Sequence, residues 1–140
     1  MKSILPILPI LFGLALAIGS SVSAHEGHVH ETHEVSVEGA PEITDFRIEK
    51  DPAGGWNVTV SVENFTFVAD DAETLPEGHV GHLHLYINET EFGMFYDPTF
   101  HIDELPFGPH DLKVVLSSFE HADYAVVGRP IEARLSFTVE

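Results

Sequence analysis

Apolar and polar residues alternate along four segments of the chain, at the period of two that is typical of a β-strand with one buried face. These segments are residues 56–62, 83–87, 112–116 and 131–139. The alternation is weaker over residues 43–49 and 92–96, and no segment has a helical period. Turn-forming residues occur at 51–55, 88–90 and 106–109. The pattern predicts an all-β domain, an immunoglobulin-like antiparallel β-sandwich of about seven strands.

The N-terminal residues 1–24 have the three regions of a secretory signal peptide. Lys2 supplies the positive start, an apolar run covers residues 4–18, and Val22 and Ala24 stand in front of a cleavage point. The apolar run is shorter than the roughly 20 residues that span a membrane, and prolines interrupt it. We therefore expect cleavage after Ala24, and a periplasmic or secreted protein without membrane insertion.

Residues 25–40 form a second region, which is polar and rich in histidine and glutamate. Such a segment buries too little apolar surface to fold by itself, so we predict a flexible tail. The β-sandwich domain is then expected to span residues 41–140.

The chain has 140 residues, a formal net charge of −17 at pH 7 and no cysteine. The charge disfavours nucleic acid and anionic membranes and favours cations, although it also serves solubility alone. Without thiols, a metal site has to use nitrogen, oxygen or thioether ligands. The sequence contains no phosphate-binding loop, no nucleophile elbow and no HExxH motif, so we predict no enzyme activity.

The tail carries four of the ten histidines, namely His25, His28, His30 and His33. Short histidine-rich tracts bind copper, zinc and nickel because neutral imidazole is a good ligand for these ions. If cleavage follows Ala24, the amine and the imidazole of His25 could chelate one copper ion, with a third nitrogen from elsewhere. We favour loose metal binding along the tail; a defined site that includes His25, or no metal role, are the alternatives.

His82 and His84 lie two residues apart on one predicted strand, so both side chains leave the same face of the sheet. Leu83 and Leu85 occupy the opposite face and are predicted to pack into the core. Imidazole nitrogen binds a metal at about 2.0–2.1 Å, and two rings on a rigid strand can converge on one ion. The pair is therefore the predicted centre of a metal site.

The topology of a sandwich predicts that further histidines join this pair. The strands at 83–87 and 112–116 are expected to be antiparallel neighbours, which places His121 beside His82. A hairpin after residue 87 is expected to return the chain toward His82 and to bring His101 close. His79 lies on the preceding loop, where it could be a ligand or a bystander.

Two other residues are considered for this site. His110 precedes the strand at 112–116 and is expected at the opposite end of the sandwich, away from the ligands. Met94 could supply a soft sulfur ligand for Cu(I), although methionine more often fills space in a core.

The segment 81–88, Gly-His-Leu-His-Leu-Tyr-Ile-Asn, resembles a strand of small bacterial periplasmic histidine-rich β-sandwich proteins. Similar later elements are Phe100-His101, residues 105–116 and residues 120–124. The likeness runs from Gly78 to the C-terminus, with Pro109 where a charged residue is more usual. The resemblance implies a periplasmic sandwich and, for some members, a role with copper or another metal.

The patterns together favour a periplasmic or secreted protein that binds copper or, as second choice, zinc, and acts as a carrier or buffer in metal homeostasis. Its expected partners are the metal ion and another metal-handling protein of the envelope. Two alternatives stay open, because a fold does not determine a function. One is an immunoglobulin-like interaction module that binds no metal, and the other is a small mononuclear copper enzyme.

Overall fold

A computed structural model describes residues 30–140, and within this range the protein is all-β and has no helix. The range accordingly holds no helical segment with the length and apolarity needed to cross a membrane. The predicted cleavage point at Ala24 lies outside the described residues. The strands, in chain order, are β1 (Thr32–Glu34), β2 (Glu42–Lys50), β3 (Trp56–Glu63), β4 (Thr66–Phe67), β5 (Val80–Ile87), β6 (Thr90–Phe95), β7 (Thr99–Ile102), β8 (Gly108–Ser118), β9 (Asp123–Val126), β10 (Arg129–Pro130) and β11 (Glu132–Val139).

The strands form two sheets of eight and three strands. In the larger sheet, β5 and β8 are central antiparallel neighbours, with Leu83 opposite Leu116. β11 and β9 pair with β8, β6 and β4 pair with β5, and β1 and β10 border β9. The smaller sheet has the order β2-β3-β7 and is antiparallel throughout. Two short pairs in the larger sheet, β1 with β9 and β4 with β5, are parallel.

The apolar core lies between the two sheets and is formed by side chains that point inward from alternate positions of the strands. Burial of each such side chain contributes about 1.5–3 kcal/mol, so this layer supplies much of the stability of the fold. The fully buried residues that meet there are Val58 and Val60 of β3, Leu83 and Leu85 of β5, Ile102 of β7, and Leu112, Val114 and Leu116 of β8.

The predicted all-β sandwich is confirmed, and the six segments with alternation correspond to β2, β3, β5, β6, β8 and β11. The strand count is the difference, since the described residues form eleven strands where about seven were predicted. The additional strands are only two to four residues long, which is too short to show a period in the sequence.

β1 lies inside the segment that the composition predicts to be a flexible tail. Thr32 pairs with Asp123 and Glu34 with Ala125, and the amide of Val35 donates to the Ala125 carbonyl over 2.8 Å. The folded part therefore begins no later than Thr32, not at residue 41. An edge strand is held by backbone hydrogen bonds, which a polar sequence can make as well as an apolar one.

Candidate metal site

His82 and His84 lie on β5, on the face of the eight-stranded sheet that points away from the core. Their direct neighbours across β8 are Ser117 and Val115. The alternation that sends the intervening leucine into the core sends both imidazoles to this outer face. Both residues are nevertheless almost completely buried, with exposed fractions of 1% for His82 and 5% for His84.

Gly81 permits the close approach of β5 to β8 immediately before the first histidine. Its backbone φ is +157°, and a Cβ at this position would overlap the carbonyl oxygen of Ser117. A side chain here would push the two strands apart, so glycine fixes the position of His82 relative to β8.

The two imidazoles face each other through their Nε2 atoms, which lie 3.0 Å apart. On its other side, His84 places Nδ1 3.0 Å from the carboxylate of Glu91. A carboxylate accepts a hydrogen bond, so His84 carries its proton on Nδ1 and directs the lone pair of Nε2 toward His82. In the absence of a metal, His82 donates from Nε2 to that lone pair.

His121 brings a third imidazole to this pair from the turn between β8 and β9. Its backbone is left-handed, with φ of 67°, and its amide donates to the Ser118 carbonyl over 2.9 Å. The ring centroid lies 4.7 Å from that of His82, and Nε2 lies 3.2 Å from a carboxylate oxygen of Asp70. One ring nitrogen from each of the three histidines lies within 4.8 Å of the other two.

The turn that carries His121 is itself tied to β8. The hydroxyl of Ser117 donates to the carboxylate of Asp123 over 2.7 Å, and Asp123 is only 8% exposed. The amide of Ser118 donates to the Ala122 carbonyl over 2.7 Å. These contacts hold the third imidazole on a short, braced turn next to the two histidines of β5.

The spacing of the three rings suits a single transition-metal ion. With metal–nitrogen bonds of about 2.0–2.1 Å, tetrahedral ligand nitrogens lie about 3.3 Å apart and imidazole centroids about 5 Å apart. The His82 and His84 centroids are 5.0 Å apart, and those of His82 and His121 are 4.7 Å apart. Small side-chain rotations would therefore complete a three-nitrogen site.

Burial keeps the central imidazole neutral. Removal from water is the largest cause that lowers the pKa of His82 from 6.5 to about 4. Repulsion from His84 and His121 contributes to this lowering, and the attraction of Asp70 and Asp123 opposes it. A neutral imidazole is the form that binds a metal. At neutral pH the site therefore has at its centre a ligand that holds no competing positive charge.

Side chains from separate parts of the chain cover the outer face of β5. Tyr96 lies 5.4 Å from His82 between ring centroids, and His30 lies 5.9 Å from His84. The hydroxyl of Tyr86 lies 3.2 Å from Nε2 of His30. Burial raises the pKa of Tyr86 to about 12, so its phenol is neutral at physiological pH. His121 remains the solvent-facing member, with a side chain that is 44% exposed.

The structure does not bring His101 to this cluster, which corrects the predicted convergence. The chain does return along β6, as the predicted hairpin requires, but it then crosses to the other sheet, where His101 of β7 pairs with Asn57 of β3. Phe100 and Ile102 point into the core from β7, so His101 points outward on the opposite side of the sandwich. Its Nδ1 lies 3.0 Å from the Asn57 side-chain oxygen.

The remaining candidates also have other contacts. Nδ1 of His79 lies 3.2 Å from the Asn64 carbonyl, and the ring of His33 lies 4.9 Å from that of Tyr124. His110 sits at the far end of β8, as expected, with Nε2 2.7 Å from the Pro106 carbonyl.

Three residues that were considered as ligands remain, namely His25 and His28 of the tail, and Met94. His25 and His28 lie outside the described residues. Met94 is the cross-strand neighbour of His84 on β6 and is 41% exposed, so it is not core filler.

Sequence reasoning missed Glu91 and Asp70, which contact Nδ1 of His84 and Nε2 of His121. Glu91 follows the hairpin turn after β5 and pairs with Tyr86, the next residue after His84 on the same face, so a hairpin register would have indicated it. Asp70 lies in a loop without a period, and no signal in the sequence connects it to His121.

Comparisons of the chain with protein-family models, with curated proteins and with solved structures find no match. The resemblance to periplasmic histidine-rich sandwich proteins therefore stays a prediction. The functional interpretation depends on the geometry of His82, His84 and His121.

Proposed function

We propose that the protein binds one transition-metal ion, copper or zinc, through His82, His84 and His121, and acts as a metal carrier or buffer. The observation that carries this proposal is the 3.0 Å approach of two buried imidazole nitrogens with a third imidazole beside them. A hydrogen bond between His82 and His84 would explain only why those two rings approach each other. It does not account for a third histidine that reaches the pair from the turn between β8 and β9.

The carboxylates beside two of the three imidazoles support a metal site more than a cluster held by hydrogen bonds alone. Metal-binding histidines usually donate their second ring N–H to a carboxylate, which fixes the tautomer and raises the basicity of the ligand. Glu91 is in this position on His84, and Asp70 lies beside His121. The partners that such a site needs are thus already in place.

The ligand chemistry selects the candidate ions. Three neutral imidazoles suit copper and zinc, whereas calcium and magnesium require oxygen ligands. Met94, next to His84 on the neighbouring strand, adds a thioether on the same face, which favours copper in its Cu(I) state. We therefore place copper first and zinc second.

A carrier or buffer fits the accessibility of the cluster. His82 and His84 are buried, whereas His121 is half-exposed, so the ion would enter and leave from one side. The negative charge of the chain would attract the cation. Export to the periplasm or out of the cell, and transfer to another metal-handling protein of the envelope, are part of this proposal.

Competition titration with a chelator tests the proposal, with Cu(II) and Zn(II) as separate probes. His82→Ala and His121→Ala should each lower the affinity for the most tightly bound metal ion by at least about tenfold. His101→Ala is the matched control, because it removes a histidine from the opposite side of the same sandwich. If His82→Ala and His101→Ala both bind the first equivalent of metal with the affinity of the unchanged protein, the proposed function is wrong.

A further inference from the structure

The N-terminal segment is fixed to the domain directly next to the histidine cluster. The carbonyl of Glu31 accepts from the amide of Asp123 over 2.8 Å, and β1 continues this pairing along β9. The carboxylate of Glu34 also accepts from the Gly128 amide over 2.9 Å. The backbone is thus held from residue 31 onward, and His30 is the residue immediately before the anchored part.

His30 projects from this anchor over the outer face of β5. Its ring centroid lies 5.9 Å from that of His84, with the two ring planes at 85°. Its Nε2 lies 3.2 Å from the hydroxyl of Tyr86, which follows His84 on the same face. The side chain therefore ends above the cluster, although β1 itself lies at the edge of the sheet.

We propose that His30, directly in front of the anchored part of the chain, is the fourth ligand of the metal site. The inference rests on the proposed function of His82, His84 and His121. Three imidazoles leave one position of a tetrahedral ion open, and a fourth side-chain nitrogen would convert an open site into a closed one.

The separation of the rings allows His30 to leave Tyr86 and bind the ion without movement of the strands. The 5.9 Å between the His30 and His84 centroids is close to the roughly 5 Å expected for two imidazoles on one tetrahedral ion. Only the side-chain torsions of His30 have to change, and the hydrogen bond to Tyr86 is released. Tyr86 would thus hold His30 beside the site while no ion is bound.

A closing ligand on an edge segment has a consequence for metal transfer. β1 has three residues and pairs with only one strand, so it is among the least firmly held elements of the described domain. A partner that displaces this segment would remove one ligand and open the site. Loss of one ligand is a means to release a tightly held ion to an acceptor.

Binding of Cu(II) to the purified protein tests the inference, with copper below one equivalent so that the tightest site is observed. His30→Ala should weaken that site by about tenfold or more, and pulsed electron paramagnetic resonance should count one imidazole fewer on copper. His33→Ala is the matched control. It removes a histidine three residues away whose ring lies against Tyr124, and it should change neither quantity.

Two further variants separate the possible failures. Tyr86→Phe removes the hydrogen bond of the metal-free state, so affinity should stay the same or rise. If Tyr86→Phe weakens binding as much as His30→Ala, His30 acts through Tyr86 and the inference is overturned. If His82→Ala abolishes tight binding while His30→Ala behaves like His33→Ala, the inference alone fails. If His82→Ala has no effect, the proposed function fails with it.

Discussion

The imidazole of His84 donates from Nδ1 to the carboxylate of Glu91 across 3.0 Å, and this contact determines which nitrogen faces the cluster. With the proton on Nδ1, the lone pair of Nε2 points at His82, whose Nε2 lies 3.0 Å away. The hairpin between β5 and β6 thus sets the ligand tautomer as well as the strand register. A residue outside the ligand set is predicted to control the affinity of the site.

Glu91→Gln tests this control directly. An amide accepts the Nδ1 proton more weakly than a carboxylate, so the affinity for Cu(II) or Zn(II) should fall by about tenfold. Chelator competition measures the change. Glu49→Gln is the control, because it removes one negative charge from an exposed position on the three-stranded sheet. Equal losses in both variants would mean that only the overall charge matters.

The stability of the metal-free protein should depend on pH through His82. Burial lowers the pKa of His82 to about 4 in the folded state, from 6.5 in the unfolded chain. Between these values the unfolded state binds more protons, so the free energy of unfolding should decrease as pH falls from about 6.5 to about 4. Above pH 6.5 the residue is neutral in both states and contributes no pH dependence.

His82→Gln removes this titration and should flatten the profile. Urea denaturation in the presence of a chelator, at several pH values between 4 and 7, gives the two curves. Toward the acidic end, the free energy of unfolding of the unchanged protein should fall steadily relative to that of the variant. Parallel curves would show that His82 is charged in the folded protein and that the cluster is open to water.

Leu85 and Leu135, which both lie at apolar positions of the alternating pattern, should differ in their contribution to stability. Leu85 is fully buried on β5, whereas Leu135 on β11 is only partly buried. Leu85→Ala should therefore lower the free energy of unfolding by about 2–5 kcal/mol, and Leu135→Ala by clearly less. Urea denaturation at neutral pH measures both. A larger loss for Leu135→Ala would contradict the described packing.

Gly81→Ala should damage both the fold and the site. The added Cβ overlaps the Ser117 carbonyl oxygen, so β5 has to move away from β8 next to His82. We expect a lower melting temperature and a weaker metal site. Gly93→Ala is the control on the neighbouring strand, because its Cβ would meet only the Phe95 ring at 3.7 Å. If both glycines tolerate alanine equally, the close approach of β5 and β8 is wrong.

The long strands could be predicted from the sequence because each has one face in the core, and the resulting period of two is visible. The same period placed His82 and His84 on one face, and the antiparallel pairing of β5 with β8 placed His121 near them. The burial of that face could not be predicted, because its cover comes from Tyr96 and His30, which are distant in sequence.

The position of His101 could not be predicted for a related reason. The residues after β6 can continue in the same sheet or cross to the other one, and local alternation is the same in both cases. The crossing depends on long-range contacts, such as the stacking of Phe95 on Phe100 at 3.8 Å. The attachment of β1 could not be predicted either, because it depends on backbone hydrogen bonds, which the polarity of the side chains does not reveal.

The most direct test of the account is the position of the ion in crystals of the protein loaded with one equivalent of Cu(II) or Zn(II). Anomalous scattering at the absorption edge of the metal locates it independently of the protein. The account predicts one strong peak on the outer face of β5, about 2.0–2.1 Å from a ring nitrogen of each of His82, His84 and His121. A peak at His101 or on the N-terminal tail, with none among these three imidazoles, would contradict it.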